Sequence, residues 1–361
     1  MAADPILALE ARQLTQVVNR RERPRRALTT MLFPDSTHQN LLTETVQVDE
    51  LTGSDEMAPF ITKDGEAVAV GSDNGRSYTF ETPMISVKRP LSASKLLFER
   101  MAGMTQVFAQ DGTDVAGEAI LKLIADDVAK MERTVNKREE WMIAQALTGI
   151  IAYTNEDTGS SFTIDLRKPS GNTFAAPGGY WTIAAPSVLH DIKVVQRVLN
   201  DNEVGQATDA VGDVTAADAL DNLLEAKKVM LDTNYNVSAG EAALIANYEA
   251  NGMRYIGKIG GVRFWEYNAK YPADGTGTMT SFIREGYFEF FSTSAEAEAM
   301  RRMFYGRIPD LDAMMEGSSV TRRYSKSELK KEPSVYIAYL KSRPLPWLYR
   351  ADANVSLIVA V

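Results

Sequence analysis

The sequence predicts an α+β protein in which one long helix organises several β-rich segments. Three observations carry that expectation. Residues 114–148 repeat apolar positions at helical spacing with no proline. Residues 43–90 alternate in strand fashion around strong turn signals. Residues 171–305 then alternate helical and strand patterns, and β-rich segments return after them.

In the long helix the apolar positions are Ile120, Ile124, Val128, Met131, Val135, Met142 and Ala146, while Lys122, Asp126, Lys130, Arg133 and Lys137 lie on the far side. Glu118–Lys122 and Asp126–Lys130 are i,i+4 pairs in the favourable order. Asp114 is placed to cap the start, and Gly149 follows the end, where a C-terminal glycine belongs. At about 1.5 Å per residue such a helix spans roughly 50 Å. It reads either as a core helix of a large α+β protein or as a strut for an extended subunit that tiles into something larger.

The 361 residues suffice for two or more domains and a sizeable core. A net charge of −9 spread along the chain argues against a surface dedicated to nucleic acid, though not against a local basic patch. With no cysteine, disulfides, thiolate nucleophiles and cysteine metal sites are excluded. The first residues lack the basic start and apolar core of a signal peptide, and no apolar run approaches 18 residues, so no membrane span is expected.

Taken in order, residues 5–20 have an amphipathic helical pattern with Leu7, Leu14, Val17 and Val18 on one side. Arg20, Arg21, Arg23, Arg25 and Arg26 follow around Pro24. This run reads as a solvated basic arm, or as an arm lying on an acidic neighbour or on enclosed nucleic acid. Leu32 and Phe33 are apolar anchors behind it. Residues 53–82 read as a long ribbon with turn signals at Asp64-Gly65 and Asn74-Gly75. Two strands with so little core are marginal alone, so Tyr78 and Phe80 are expected to be covered by a neighbouring subunit.

Strands are expected at 84–90, 150–154 and 160–168. The Pro/Gly-rich stretch 169–186 marks a domain boundary. Helices are expected at 187–204, capped by Ser187, and at 215–231, opened by Thr215. Strands follow at 243–247, 255–268 and 279–292, with loops at 234–240 and 271–278. The last part is again β-rich around the charged stretch 325–333, and a final strand ties the C-terminus into a sheet.

The chain is poor in chemistry. His38 and His190 stand alone in different segments and read as structural or exposed. No G-x-S-x-G elbow, phosphate loop, dinucleotide fingerprint or H-E-x-x-H is present. The Gly257–Gly261 run reads as a strand turn. Asp232, Asn234 and Asn236 imitate the start of a calcium loop, but Val237 and Ala243 stand where glycine and glutamate are required. Asp126/Asp127 and Asp310/Asp312 read as solvated or turn carboxylates. No catalytic, cofactor or metal residue is expected.

Four stretches in order resemble the lambda-type phage major capsid protein E family: FETPMISVKRPLS, EAILKLIADDVAKMERTVNKREEWMIAQALTGI, RMFYGRIPDLDA and SRPLPWLYRADANVSLIVAV. The correspondence covers most of the chain and is weakest over 155–215. The resemblance implies the Hong Kong 97-type capsid fold. In its terms residues 1–50 are the N-terminal arm, 51–88 the extended loop, 89–170 and 306–345 a peripheral domain around the strut helix, and 171–305 with 346–361 an α/β axial domain. It implies self-assembly into hexamers and pentamers that tile an icosahedral head enclosing double-stranded DNA, assembled in the host cytoplasm. The implied partners are further copies of the chain, with scaffold, decoration, protease and portal proteins. Subunit contacts are expected at Arg20, Arg21, Arg23, Arg25, Arg26, Tyr78 and Phe80. The alternatives are an encapsulin-like shell around protein cargo and, less favoured, an enzyme built on 171–305.

Overall fold

The structure is a computed structural model that describes residues 26–52, 74–92, 115–154, 159, 161–183, 186–227, 239–273, 277–330 and 335–360. Helix α1 (Ala27–Leu32) leads to the short strand β1 (His38–Asn40), then to β2 (Thr45–Thr52), β3 (Asn74–Glu81) and β4 (Ile85–Ser92). The long helix α2 (Val115–Thr148) follows, then a hairpin of β5 (Ile150–Thr154) and β6 (Ser161–Asp165). After β7 (Thr173–Ala175) come α3 (Val188–Asp201), β8 (Asp209–Gly212), α4 (Val214–Lys227) and α5 (Ala239–Ala250). Strands β9 (Met253–Ile259), β10 (Val262–Tyr267), β11 (Lys270–Pro272), β12 (Met279–Ser281) and β13 (Tyr287–Phe291) follow. The chain ends with α6 (Ala295–Ala299), β14 (Arg301–Tyr305), α7 (Leu311–Met315), β15 (Tyr324–Lys330), β16 (Val335–Ser342), β17 (Pro344–Leu348) and β18 (Val355–Ile358).

Among the described residues the largest sheet has the order β7-β18-β13-β8-β10-β9. Its two faces separate by the alternation of strand side chains. Phe264, Phe288 and Leu357 pack with Ile192 and Val195 of α3 and Leu220 of α4. Trp265, Phe291 and Val211 face the other way, into a core that also holds Tyr248 of α5 and Met142, Ile143 and Leu147 of α2. The C-terminal strand β18 runs inside this sheet, parallel to β7 and antiparallel to β13, as the sequence predicts.

The long helix runs as expected. Val128, Met131, Val135, Met142 and Ala146 are buried, and Lys130, Arg133 and Lys137 are exposed. The side chains of Ile120, Ile124, Glu118 and Lys122 lie outside the described set, as does Asp114. Val128, Met131 and Val135 pack on Tyr336, Ala338 and Leu340 of the sheet β15-β16-β4. Gly149 has φ of 94° and a Cβ there would meet Lys168 Cβ at 2.4 Å, so glycine suits the helix end twice over. Lys168 donates to the last-turn carbonyl of Leu147 at 2.9 Å and to Ser356 Oγ at 2.5 Å, with Glu289 at 3.6 Å. This buried amine joins the end of the long helix to the large sheet. Burial pulls its pKa down, and Glu289 only partly offsets that.

Four local readings change. Residues 243–247 lie in helix α5 rather than in a strand, because Leu244 and Ile245 bury one side of a helix whose other positions are alanine and polar. Helix α4 is capped by Asp213, whose carboxylate accepts from the N–H groups of Thr215 and Ala216, not opened by Thr215. Asn74-Gly75 starts strand β3 opposite Leu51 and Thr52 instead of turning. The ribbon begins at Thr45, inside the stretch assigned to the arm. In addition, Arg301–Tyr305, grouped by sequence with the axial stretch, pairs with β17 and β1 in a separate sheet. Residues 5–20, the Asp64-Gly65 turn and the Asp232–Asn236 stretch lie outside the described residues.

Candidate assembly surfaces

Helix α1, behind the stretch expected to be the arm, and the β2–β3 pair, the base of the expected ribbon, both join the body through polar contacts. At the arm root, helix α1 lies on α2. Consecutive helical residues point about 100° apart, so Glu139 and Glu140 of α2 serve different neighbours. Glu140 accepts from the N–H groups of Leu28 (2.7 Å) and Thr29 (3.1 Å), from Thr29 Oγ1 (2.6 Å) and from the Tyr267 hydroxyl (2.9 Å). It thereby satisfies donors at the start of α1 that Arg26, the residue before the helix, leaves uncapped. Burial pushes this carboxyl up, and the hydrogen bonds offset that only in part.

Glu139 faces Arg26 at 2.5 Å, Arg323 at 3.0 Å and Arg322 at 3.6 Å. Burial alone would raise its pKa; the three guanidiniums outweigh it and hold it below the ordinary carboxylate value. Arg26 is thus the last residue of the basic run and is bound within its own chain. Arg20, Arg21, Arg23 and Arg25 lie outside the described residues. His38 is half-buried with Nε2 at 3.1 Å from the Phe33 carbonyl and its ring edge-on to Tyr305 at 5.5 Å, while His190 is exposed.

At the ribbon root, β2 and β3 pair from Thr45–Glu81 to Thr52–Asn74 and, among the described residues, with no third strand. The buried Arg343 guanidinium holds the base. It donates twice to the Thr82 carbonyl, at 3.0 and 2.7 Å, and pairs with Glu44 at 3.0 Å and Glu81 at 3.2 Å. Gly306 lies against Thr82 so closely that a Cβ would sit 2.0 Å from its Oγ1. The expected contact residues have partners here. Phe80 is half-buried with its ring 4.7 Å from Trp347, and the Arg167 guanidinium lies 3.6 Å over the Tyr78 ring and bonds its hydroxyl. The physical reason is that β3 runs along the body at its base, so its inward side chains reach β17 and the turn after β6.

Sequence reasoning missed Glu139, Glu140 and Arg343, because a charged residue on a helix or strand gives no local sign of burial. Helical phase offered one signal for the first two: they fall on the side of α2 shared by Met142 and Ile143 rather than with Lys130 and Lys137. Asp310 is a further correction. It is buried at 6% exposure, caps α7 by accepting from Asp312 and Ala313, and pairs with Lys326 and Lys341. Burial opposes its ionisation, but the two ammoniums win and hold its pKa at about 2. Asp312 is exposed, as expected. Among the described residues no group of three or more His, Cys, Asp or Glu side chains could hold a metal, and no helix is long and apolar enough to cross a membrane.

Among the described residues, a body with its own core carries helix α1 and the β2–β3 pair on buried ionic clusters, with no group arranged for catalysis, which is the make-up of a structural subunit. The comparisons agree. The sequence matches phage major capsid protein E over residues 10–359. A crystal structure of a prophage protein of E.coli CFT073, described as a capsid protein, superposes on 98% of this chain and 99% of that one, with a TM-score of 0.70 at 17% identity. A phage-related protein of Bordetella bronchiseptica RB50 covers 99% of this chain and 97% of its own, with a TM-score of 0.51 at 10% identity. At such identities these two show the shared fold, and that fold is the Hong Kong 97 type. No curated protein matches the sequence. The chain belongs to the phage major capsid protein E family. It is a structural protein of the phage head, assembling with further copies of itself, and not an enzyme.

Proposed function

We propose that this chain forms hexamers and pentamers that tile an icosahedral head around double-stranded DNA, with the ribbon of each copy laid across the next. The observation that carries this reading is that, among the described residues, β2 pairs with β3 and with no further strand, the pair being held at its base by Arg343. An eight-residue strand pair spans roughly 27 Å at about 3.4 Å per residue, and its first half lies on the body through Val46, Val48 and Phe80. A two-stranded ribbon continuing beyond that base gains stability only when a second surface covers it. In this reading α2 with β4, β15 and β16 is the peripheral part, and the large sheet with α3, α4 and α5 is the axial part that meets its copies around five- and six-fold centres. The arginines 20, 21, 23 and 25 lie on acidic surface of a neighbour or on enclosed DNA, without base specificity. Scaffold, decoration, protease and portal proteins are the partners that such a head employs.

Electron microscopy of purified particles tests this directly. Closed shells containing DNA are expected. A folded protein that stays monomeric at high concentration would refute assembly, and shells filled with a protein cargo would favour an encapsulin-like compartment. Deleting residues 53–73, with a two-residue turn joining β2 to β3, leaves the clamped base intact. The variant should fold and fail to close shells; unimpaired shells would show that the ribbon tip is dispensable.

A further inference from the structure

The structure holds a knob and a groove of opposite character. The knob is α7. Leu311, Met314 and Met315 stand at i, i+3 and i+4, so they share one face. That face is bare: Leu311 is 79% exposed and Met315 87%. Exposed acids flank it, Asp312 and Glu316. The helix cannot turn this face inward, because Asp310 and buried Ala313 pin its other side to Lys326, Lys341, Ile308 and Tyr324.

The groove is a cavity of about 530 Å³ between β4, α2 and the hairpin β5–β6. Trp141, Tyr153, Phe162, Tyr271 and half-exposed Met84 line it. Its rim is cationic: Lys137 is exposed, and the Arg138 guanidinium lies over the Trp141 and Tyr153 rings at 5.1 and 4.8 Å. Such a volume suits a small group of apolar side chains, and methionine adapts well to an aromatic lining.

Knob and groove belong to opposite faces of one sheet. Tyr336, Ala338 and Leu340 of β16 point toward α2, together with Ile85 and Val87 of β4 in the groove wall. Lys341 and its cross-strand neighbour Tyr324 point the other way, toward α7. A chain therefore cannot place its own knob in its own groove. We infer that the α7 knob of one copy seats in the groove beside α2 of another, with Glu316 meeting Lys137. The contact is heterologous, since two different patches meet, and such contacts build rings and extended arrays rather than closed dimers. It rests on the shell reading above and names a surface for it.

The absence of cysteine makes the test direct. Thr134→Cys at the groove rim and Met315→Cys on the knob are combined in one chain, and particles are purified and oxidised. A ladder of covalent oligomers longer than dimers is expected under denaturing, non-reducing conditions, and none from either single variant. Dimers from Met315→Cys alone would overturn the inference, because they require a symmetric knob-to-knob contact. A ladder from Thr134→Cys with Met57→Cys, but not with Met315→Cys, would overturn it in favour of the ribbon tip as occupant. Intact shells with no Thr134–Met315 ladder overturn this contact alone. Failure of the unsubstituted chain to assemble overturns the shell reading and the contact with it. Independently, Glu316→Lys should lower particle yield several-fold and Lys137→Glu in the same chain should restore it; an additive loss contradicts the pairing.

Discussion

The six-stranded sheet and the β2–β3 ribbon are built from the same kind of strand and are stabilised in different ways. The six-stranded sheet is covered on both faces, by α3 and α4 on one side and by α5 and the long helix on the other. Phe264, Phe288, Phe290 and Trp265 are wholly buried in it. Among the described residues the ribbon offers Val46 and Val48 to the body, half-buries Phe80, sets Tyr78 under Arg167, and is held at its base by Arg343, Glu44, Glu81 and Thr82. Apolar burial scales with area, about 25 cal/mol per Å², and so favours the sheet with two covered faces. Hydrogen bonds and ion pairs fix position for little area. The base of the ribbon is consequently fixed in direction by a few polar groups rather than by a large buried area.

The largest effect expected from this difference is at Phe264. Phe264→Ala should cost about 3–5 kcal/mol, read as a lower urea midpoint for the whole subunit. A loss below about 1 kcal/mol would mean that the core of the six-stranded sheet is not the stabilising half. Next comes the clamp. Arg343→Met removes two hydrogen bonds from a charged donor to the Thr82 carbonyl and should cost about 1.5–3 kcal/mol. The loss should be local: amide exchange should quicken in 45–52 and 74–81 while β8, β10 and β13 stay protected. Equal acceleration everywhere would erase the distinction between the regions.

Phe80→Ala follows, at about 1–1.5 kcal/mol in the isolated subunit, roughly half the value of a fully buried phenylalanine. In assembled shells the loss should be larger, because the proposed neighbour covers what Trp347 does not. The same loss in both states would count against that cover.

The smallest effect is acid sensitivity at Asp310. Its folded pKa of about 2 lies below the ordinary aspartate value, so the ionised form is favoured by folding. The stabilisation is complete above about pH 4 and fades as pH falls toward 2. Because Lys326 and Lys341 are partly exposed, its size is on the order of 1 kcal/mol. Asp310→Asn should flatten the wild-type fall in stability between pH 4 and 2; an unchanged slope would place the acid-sensitive group elsewhere.

The elements best read from sequence were those whose pattern is local. The long helix, Gly149 at its end, strands β5 and β6, a strand turn within Gly257–Gly261, which narrows to Gly260 and Gly261 between β9 and β10, and the final strand all follow from apolar period and turn chemistry. Residues 243–247 were misread because a short alanine-rich apolar run fits either period, and only the packing of Leu244 and Ile245 selects the helix. The capsid identity was legible through four stretches in order, with no catalytic motif involved.

The sequence by itself determined an α+β subunit strung on one long helix, without cysteine chemistry, with a basic run at 20–26 and a strand-patterned stretch at 43–90. These depend on composition and on periods that neighbouring residues set. Only the tertiary structure decided which charges are buried. Glu139 and Glu140 differ by one position, yet one faces three arginines and the other the start of a helix. Arg343 reaches across to Thr82, and α7 and the groove fall on opposite faces of one sheet. Each arises where segments distant in sequence meet. A charged side chain carries the same local pattern whether it points to water or to a partner, so only the fold sets its role.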